Sequence, residues 1–235
     1  MEQYKYIFNQ DYLYSALFFN IKTITEYKNK DEFSKNDNEK FNIWNELEIN
    51  SFKDIKDPYI NKACYMPEFS KIKCITYGNI KIVDGKYQRS IEIINENSEK
   101  ETINKFFEIL TFFFKKVNNG LLVGHNINGY DIPFLIKRGM IYNLNIPKIL
   151  KNSLLDKPWE NKIIDIMNLW KFNGTNYTSL NLISNFLKLK YKNLLLPLNE
   201  ISKKYHKFKN DKLIETECAN QVNLTMQLYM KLREI

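Results

Sequence analysis

The segment Leu121–Gly139, LLVGHNINGYDIPFLIKRG, is the part of the chain in which local structure and chemistry can be predicted together. It begins with an apolar run that favours a short buried strand, and Gly124 ends that run. A polar turn containing His125 and Asn126 follows, and an apolar helical pattern starts at Ile132, with a proline that the first helical turn tolerates. The segment therefore predicts a strand, a polar turn and a helix.

Asp131 is the carboxylate that this turn supplies, and two interpretations of it remain open. In an open α/β sheet, ligands bind at the carboxyl ends of the strands, which makes Asp131 a candidate metal ligand. An aspartate just before a helix can equally cap the free N–H groups of that helix, and the spacing alone favours the cap.

The length of 235 residues suits one α/β domain over residues 1–235, with enough chain to bury most of its apolar surface. The chain contains no run of about 18 apolar residues and no basic leader followed by an apolar stretch. Its cysteines, Cys64, Cys74 and Cys218, are widely spaced, which predicts neither a disulfide framework nor a zinc site. We therefore expect no membrane association and a reducing, cytoplasmic location, or a virion if the source is a virus.

The formal net charge of +8 and the isoelectric point near 9.1 suit a polyanionic partner such as nucleic acid. Nearly all of the positive charge is lysine, however, since arginine occurs only at positions 89, 138 and 233. Arginine is the side chain preferred for bidentate phosphate contacts. The abundance of Asn, Ile, Lys and Tyr indicates AT-rich coding, so the charge permits nucleic-acid binding without requiring it.

Strand patterns, rich in β-branched and aromatic residues, occur on both sides of Leu121–Gly139. They cover Leu13–Ile24, Lys71–Tyr77 and Gln88–Ile94, and Lys162–Leu169 predicts a strand that passes into a helix. Turns are expected over Gly78–Lys81 and at Asp84–Lys86, the second as a hairpin. The charged, Asn-rich residues 26–58 predict a surface insertion with a helix around Phe41–Leu47.

A long helix is predicted just before the opening segment. Ser98 and Glu101 form a capping box in front of an apolar stripe at helical spacing, which indicates a helix that packs on the sheet. The stripe consists of Ile103, Phe106, Phe107, Leu110, Phe113, Phe114 and Val117.

The C-terminal part is predicted to contain two helices separated by a basic loop. The first helix covers Thr178–Leu187, with Ser179 as its cap, and the second covers Leu213–Leu232. The residues between them, Lys188–Lys209, are rich in lysine and are expected to form a loop in which His206 is solvated.

GHNINGYDIPFL resembles the second exonuclease motif of DnaQ-like 3′–5′ exonucleases. The form is that of the proofreading domain of family B DNA polymerases and of related stand-alone exonucleases. MPEFSKIKCITYG, IIDIMNL, YTSLNLISNFLKL and ECANQVNLTMQLY are similar to further segments of this family. The resemblance runs from Leu13 to Leu232. It implies a ribonuclease H-like α/β fold, with a mixed central sheet of about five strands and helices on both faces.

In that family several carboxylates hold two divalent metals, and one of these carboxylates is the aspartate at the position of Asp131. The first strand of the family supplies Asp-x-Glu, and the segment LFFNIKTI places Asn20 at the aspartate and Lys22 at the glutamate. The amide removes a negative charge and the ammonium reverses one. An ammonium in this place would repel a metal and partly mimic it.

The last motif of the family contains a tyrosine and, four residues later, an aspartate followed by valine. Val222 sets the register, which places Gln221 at the aspartate and Glu217 at the tyrosine. Asp131 is therefore the only expected metal carboxylate that the chain retains.

Two-metal hydrolysis of a phosphodiester requires several carboxylates to neutralise the two ions. The resemblance therefore implies a catalytically degenerate site that holds no metal, or has Asp131 as its only ligand, and that takes no cofactor. Mg²⁺ or Mn²⁺ would be needed if the protein were active. Asp165 is expected to be a capped or salt-bridged structural acid, and His125 and Asn126 are expected to fix the turn by hydrogen bonds.

Three functions are compatible with these observations. In the first, a non-catalytic module binds single-stranded nucleic acid. Its expected contacts are Lys22, His125, Asn126, Lys190, Lys192, Lys203, Lys204 and Lys207. In the second, the fold serves as a structural or assembly subunit that contacts a protein partner through residues 26–58, in a virus or another source with an AT-rich genome. In the third, the protein is an active 3′–5′ exonuclease with relocated ligands.

Overall fold

A computed structural model describes residues 12–152, 161–191, 193 and 195–234 of the chain. The strands are β1 (Ala16–Thr25), β2 (Ser70–Val83), β3 (Lys86–Ile94), β4 (Leu121–Gly124) and β5 (Ile163–Asp165). They form one five-stranded sheet in the order β3-β2-β1-β4-β5. β1, β2 and β3 pair in antiparallel fashion, whereas β4 lies parallel to both β1 and β5. The prediction of a mixed central sheet is confirmed.

Helices connect and follow these strands. The segment between β1 and β2 forms α1 (Lys30–Asn36), α2 (Asn38–Ser51) and α3 (Pro58–Lys62), followed by a 3-10 turn at Ala63–Tyr65. α4 (Glu99–Lys116) lies between β3 and β4, and α5 (Ile132–Ile141) and α6 (Lys148–Asn152) lie between β4 and β5. β5 is followed by α7 (Ile166–Trp170), α8 (Leu180–Phe186), α9 (Leu198–Phe208) and α10 (Asp211–Leu232). None of the helices in these described ranges is long and apolar enough to cross a membrane.

The central strand β1 is buried along its whole length because helices cover both faces of the sheet. On one face, Phe18 packs with Val222 and Tyr229 of α10. On the other face, Phe19 packs with Phe106 of α4, with ring centroids 5.3 Å apart. Successive side chains of a strand point to opposite faces, so neighbouring aromatic residues of β1 serve the two layers in turn.

α4 begins as its sequence predicts. The Ser98 hydroxyl accepts a hydrogen bond from the Glu101 N–H, and the Glu101 carboxylate accepts one from the Ser98 N–H, which completes the capping box. The residues of this helix that are buried in the core include Ile103, Phe106, Phe107 and Leu110. The aromatic stripe is therefore core packing.

The strand-to-helix passage and the two C-terminal helices also follow their predictions. β5 leads directly into α7, and α10 covers the predicted last helix. The Ser179 hydroxyl caps α8 by accepting a hydrogen bond from the Leu182 N–H at 3.3 Å.

The turn expected over residues 78–81 is wrong, because β2 continues through them. A Cβ at Gly78 would lie 2.1 Å from the carbonyl oxygen of Ser90 and 2.7 Å from Met226 Cε. The glycine therefore allows β3 and α10 to approach closely and does not change the chain direction. The hairpin turn predicted at Asp84–Lys86 is confirmed.

Residues 26–58 form α1 and α2 together with the start of α3, and they have a small core of their own. Phe33 of α1 and Trp44 of α2 are buried against Tyr59 and Phe69. The helix expected around Phe41–Leu47 lies inside the longer α2. Aromatic side chains therefore tie this charged segment to the residues that lead into β2.

The predicted loop Lys188–Lys209 is wrong in its second half, which forms α9. Ile201 of α9 packs with Ile24 of β1 and Ile214 of α10, while Lys203 and Lys207 remain exposed. Tyr205 of α9 packs against the same cluster. The high lysine content hides these apolar contacts, which is why the composition indicated a loop. Lys192, in the first half, lies outside the described residues.

Candidate functional site

A cleft opens where β1 runs past the end of its parallel neighbour β4. The two strands pair only over Ala16–Phe18 and Leu121–Val123, so the later residues of β1 lie beside the turn that follows β4. The cleft has a volume of about 340 Å³. Its polar lining includes Asn20, Lys22, His125, Asn126, Asp131 and Gln221. The structure thus brings together residues from β1, the turn after β4, and α10.

Asp131 lies in a π-helical turn at Ile127–Asp131 and is 1% exposed. Its Oδ1 accepts hydrogen bonds from Asn20 Nδ2 at 2.9 Å and from the Ile21 N–H at 2.8 Å. The carboxylate makes no capping hydrogen bond to α5, so the predicted helix cap is wrong. The side chain turns back to β1 because two N–H donors of that strand face it.

The surroundings of Asp131 disfavour its ionised form. Burial raises the pKa of Asp131 to about 7, and the negative charge of Asp165 acts in the same direction. The hydrogen bond from the Ile21 N–H and the positive charge of Lys22 lower the pKa and offset part of this effect.

Lys22 places a positive charge inside the cleft. Its side chain is 6% exposed, and its ammonium donates a hydrogen bond to Oε1 of Gln221 on α10. Asn20, two residues earlier on the same strand, is also buried and is bound to Asp131. The Asn20 amide therefore holds the Asp131 carboxylate, and the Lys22 ammonium holds the Gln221 side chain.

Asp165 fixes the turn after β4 from the neighbouring strand β5. Its Oδ1 accepts hydrogen bonds from the N–H groups of Asn126 at 2.8 Å and Met167 at 3.0 Å, and its Oδ2 accepts one from Asn128 N–H at 3.1 Å. Burial raises the pKa of Asp165, although these hydrogen bonds act against the rise. The prediction that Asp165 is a structural acid is confirmed, because its carboxylate caps the N-terminus of α7.

Asn126 contributes to the turn mainly through its backbone. It lies in the left-handed region at φ 62°, and its N–H is held by Asp165. A Cβ at Gly129 would lie 2.6 Å from Asn126 Oδ1, so the small residue leaves room for this amide. Asn126 does help to fix the turn, as predicted. The acceptor of its N–H is Asp165, which lies outside the local motif.

His125 is buried in the cleft wall and is 8% exposed. Burial lowers the pKa of His125 to about 4, and the positive charge of Lys22 lowers it further, while hydrogen bonds to backbone groups act in the opposite direction. Its Nε2 is buried without a hydrogen-bond partner among the described residues. The imidazole is therefore neutral at physiological pH.

Glu217 lies behind the cleft and supports its rim. Its side chain is 6% exposed, and Oε2 accepts a hydrogen bond from the Leu196 N–H at 2.9 Å. Leu196 and its neighbours line the cleft, so Glu217 fixes the backbone of that wall. Its carboxylate is directed to this N–H group.

The other described lysines that were predicted to contact nucleic acid do not line the cleft. Lys190 lines a different cavity, Lys203 pairs with Glu200 at 2.8 Å, and Lys207 lies over the Phe208 ring. Lys204 is half-buried on α9. Among the described lysines that were expected to bind nucleic acid, Lys22 alone lines the cleft.

His206 is half-buried, so the prediction that it is solvated is wrong. Its Nε2 lies 2.9 Å from Thr25 Oγ1 and 3.0 Å from the Thr25 carbonyl oxygen. Burial lowers the pKa of His206. The formation of α9 brings this side chain to the end of β1.

The motifs did not identify two tyrosines of the cleft. Tyr130 contacts Thr23 Oγ1 at 2.7 Å and donates to the carbonyl oxygen of Cys64 at 3.2 Å. Tyr65 is 43% exposed, with its ring centroid 6.3 Å from that of Tyr130. Tyr130 lies next to Asp131 within the motif segment, whereas Tyr65 comes from a distant part of the sequence.

The donor set of the cleft does not fit a pair of divalent cations. Such ions require several anionic oxygen ligands. Here Asp131 Oδ1 already accepts two hydrogen bonds, and the Lys22 ammonium lies in the same cleft. Within the described ranges, no three or more His, Cys, Asp and Glu side chains form a group that could hold a metal.

The sheet order and the cleft beside β1 define a ribonuclease H-like α/β protein. Residues 7–185 match the family described as DNA polymerase family B, exonuclease domain. The chain therefore belongs to this family, and the resemblance seen in its motifs is confirmed.

Solved structures agree on the fold. The family B DNA polymerase from the hyperthermophilic archaeon Pyrobaculum calidifontis matches with a TM-score of 0.53 and 14% sequence identity, over 92% of this chain. The matched region is 24% of that polymerase, so the chain spans about a quarter of its length. A comparison with curated protein sequences gives no match.

Proposed function

We propose that this chain is a non-catalytic member of the family B exonuclease domains and that its cleft binds single-stranded nucleic acid without cutting it. The observation that carries the proposal is the Lys22 ammonium in the cleft, bound to Gln221 beside the Asn20–Asp131 hydrogen bond. A cation in this place repels divalent metals, and two hydrogen bonds already occupy Oδ1 of Asp131. Metal-dependent hydrolysis therefore lacks its ligands.

The retained cleft supports the binding role. Lys22 supplies a positive charge for a phosphate, and the exposed ring of Tyr65 supplies a face on which a base can stack. The side chain of Asn126 adds a hydrogen-bonding group to the wall. The net charge of +8 favours approach of a polyanion.

The nuclease arm of the test uses a 3′-labelled single-stranded oligonucleotide with Mg²⁺ or with Mn²⁺. We expect no release of nucleotides above a no-protein blank. An Asp131→Ala variant is the control for contaminating nucleases. Release by the wild type that is lost in Asp131→Ala would overturn the proposal and establish the active-exonuclease alternative.

The binding arm measures the affinity for the same oligonucleotide over a series of salt concentrations. Lys22→Met should weaken binding several-fold and reduce the salt slope by about 1, since one phosphate contact is lost. Lys207→Met removes the same charge from an exposed position on α9 and should leave the affinity nearly unchanged. Absence of binding at low salt would contradict the nucleic-acid role and favour an assembly subunit.

A further inference from the structure

A second cavity has a volume of about 410 Å³. It is bounded by the β2–β3 hairpin, the residues after α8, and the C-terminal half of α10. Its apolar lining comes from Ile80, Leu187, Leu189 and Met230. No residue that lines this cavity also lines the cleft around Asp131.

One face of the hairpin supplies an aromatic ring and an arginine to the cavity. Ile80 pairs directly with Arg89, and Ile82 pairs directly with Tyr87. Directly opposed residues of antiparallel strands lie on the same face, so Tyr87 and Arg89 share the face of the buried Ile80. Tyr87 is 54% exposed and presents its ring to the cavity.

Hydrogen bonds hold the opposite wall of the cavity in one conformation. The Lys190 N–H donates to Gln227 Oε1 at 2.8 Å, and Gln227 Nε2 donates to the Lys190 carbonyl oxygen at 2.8 Å. Lys188 lies at φ 54°, and the Leu189 N–H donates to the Ser184 carbonyl oxygen at 2.9 Å. Both lysines therefore project from a fixed backbone, which lowers the entropic cost of binding a ligand.

The cavity carries positive charge that the described part of the chain does not neutralise. Arg89, Lys188 and Lys190 form no ion pair there, whereas Lys231 is paired with Glu234 at 2.6 Å. Arg138, by contrast, is buried in ion pairs with Glu26 and Glu99. Three cations around an apolar floor constitute a site for an anion that carries an apolar or aromatic body.

We infer that this cavity binds a nucleoside phosphate. Arg89 is placed to hold the phosphate through its fork of N–H donors, with Lys188 and Lys190 adding charge. The base stacks on Tyr87, and the ribose lies against Leu189 and Met230. The cavity volume of about 410 Å³ falls within the usual range for small-molecule sites. This site is independent of the cleft and of the proposed function.

Calorimetric titrations at fixed ionic strength test the inference with adenosine 5′-monophosphate, adenosine and inorganic phosphate as probes. Arg89→Met should weaken binding of the nucleotide at least tenfold. Lys81→Met is the matched control, because Lys81 pairs with Gln88 on the other face of the same hairpin and should change the affinity less than twofold. Adenosine and phosphate should each bind at least tenfold more weakly than the nucleotide.

The inference would be overturned by absence of nucleotide binding by the wild type or by equal losses in Arg89→Met and Lys81→Met. It would also be overturned if phosphate bound as tightly as the nucleotide, or if a lower concentration of an acidic peptide displaced the nucleotide. Lys22→Met should bind the nucleotide as the wild type does. A loss in that variant would place the nucleotide in the cleft and would also contradict a second site.

Discussion

Asp131 and His125 lie in the same cleft wall, and burial reverses the usual order of their pKa values. The pKa of Asp131 is raised to about 7, and the pKa of His125 is lowered to about 4. Each shift favours the neutral form, because a low-permittivity environment disfavours either charge. The Lys22 ammonium lowers both values, and the Asp165 carboxylate raises that of Asp131.

The two shifts give opposite contributions to the pH dependence of stability. The folded state binds the Asp131 proton more tightly than the unfolded state, so this group makes the free energy of unfolding fall as pH rises from about 4 to about 7. The unfolded state binds the His125 proton more tightly, so His125 makes that free energy rise from pH about 4 to about 6.5. In the wild type the two contributions oppose each other over most of this range.

Single substitutions should separate these contributions in urea unfolding measured between pH 4 and pH 8. Relative to wild type, Asp131→Asn should gain stability with rising pH, by up to about 4 kcal/mol over the range. His125→Gln should lose relative stability with rising pH, by up to about 3 kcal/mol. Profiles that run parallel to the wild type would show that these groups do not titrate with shifted pKa values.

The bonding of Asp131 also shows what the sequence can and cannot predict at a single residue. The local pattern places the aspartate correctly between a strand and a helix. It cannot reveal that the donors come from Asn20 and Ile21, which are more than 100 positions away. The family resemblance brought Asn20, Lys22, Gln221 and Asp131 into one site, because motif alignment carries non-local information that spacing lacks.

At the scale of elements, Trp44 is the fully buried residue of α2. Its ring centroid lies 5.3 Å from that of Tyr59 and 4.9 Å from that of Phe69, and its Nε1 donates to Glu48 at 2.7 Å. These contacts join the helices between β1 and β2 to the start of β2. Phe41 and Leu47 of α2 are only partly buried at the edge of the same core.

Trp44→Ala should therefore unfold α1 and α2 locally. Loss of a buried aromatic side chain costs about 3–5 kcal/mol, which is more than so small a core can lose. Hydrogen exchange should accelerate at amides of α2 and remain slow in β4. Ile49→Ala on the same helix is the control, because Ile49 is 70% exposed and its loss should leave exchange unchanged. Slow exchange in Trp44→Ala would mean that other contacts hold the helix.

The elements that were predicted wrongly have a common cause. β2 was interrupted in the prediction because Gly78 suggests a turn. In the structure the glycine is needed because Ser90 and Met226 pack too closely against it to leave room for a Cβ. α9 was taken for a loop because lysines dominate it, although Ile201 anchors it between β1 and α10. In both places a contact between distant segments decides the structure, while elements with strong local signals, such as the capped α4, were predicted correctly.

At the scale of the molecule, α10 completes the core although it follows the residues that match the family. The family match ends at residue 185, and α10 begins at Asp211. Its buried apolar side chains pack with one face of the sheet, including Phe18 and Val123. Without α10 the part of that face that it covers would be exposed to water, since α7 and α8 cover only the rest. The two-layer cover of β1 therefore depends on the C-terminal helix.

A chain that ends after Lys209 should accordingly lose cooperative unfolding. Each buried apolar side chain contributes about 1.5–3 kcal/mol, so removing the several that α10 supplies exceeds a typical total stability of about 5–15 kcal/mol. Near-ultraviolet circular dichroism and the dispersion of amide resonances should both collapse. A chain that ends after Arg233 keeps all of α10 and should retain the wild-type spectra. If the shorter chain kept its dispersion of amide resonances, the remaining helices would suffice to hold the sheet. The cleft wall around Gln221 would then be an addition to a fold that is stable without it.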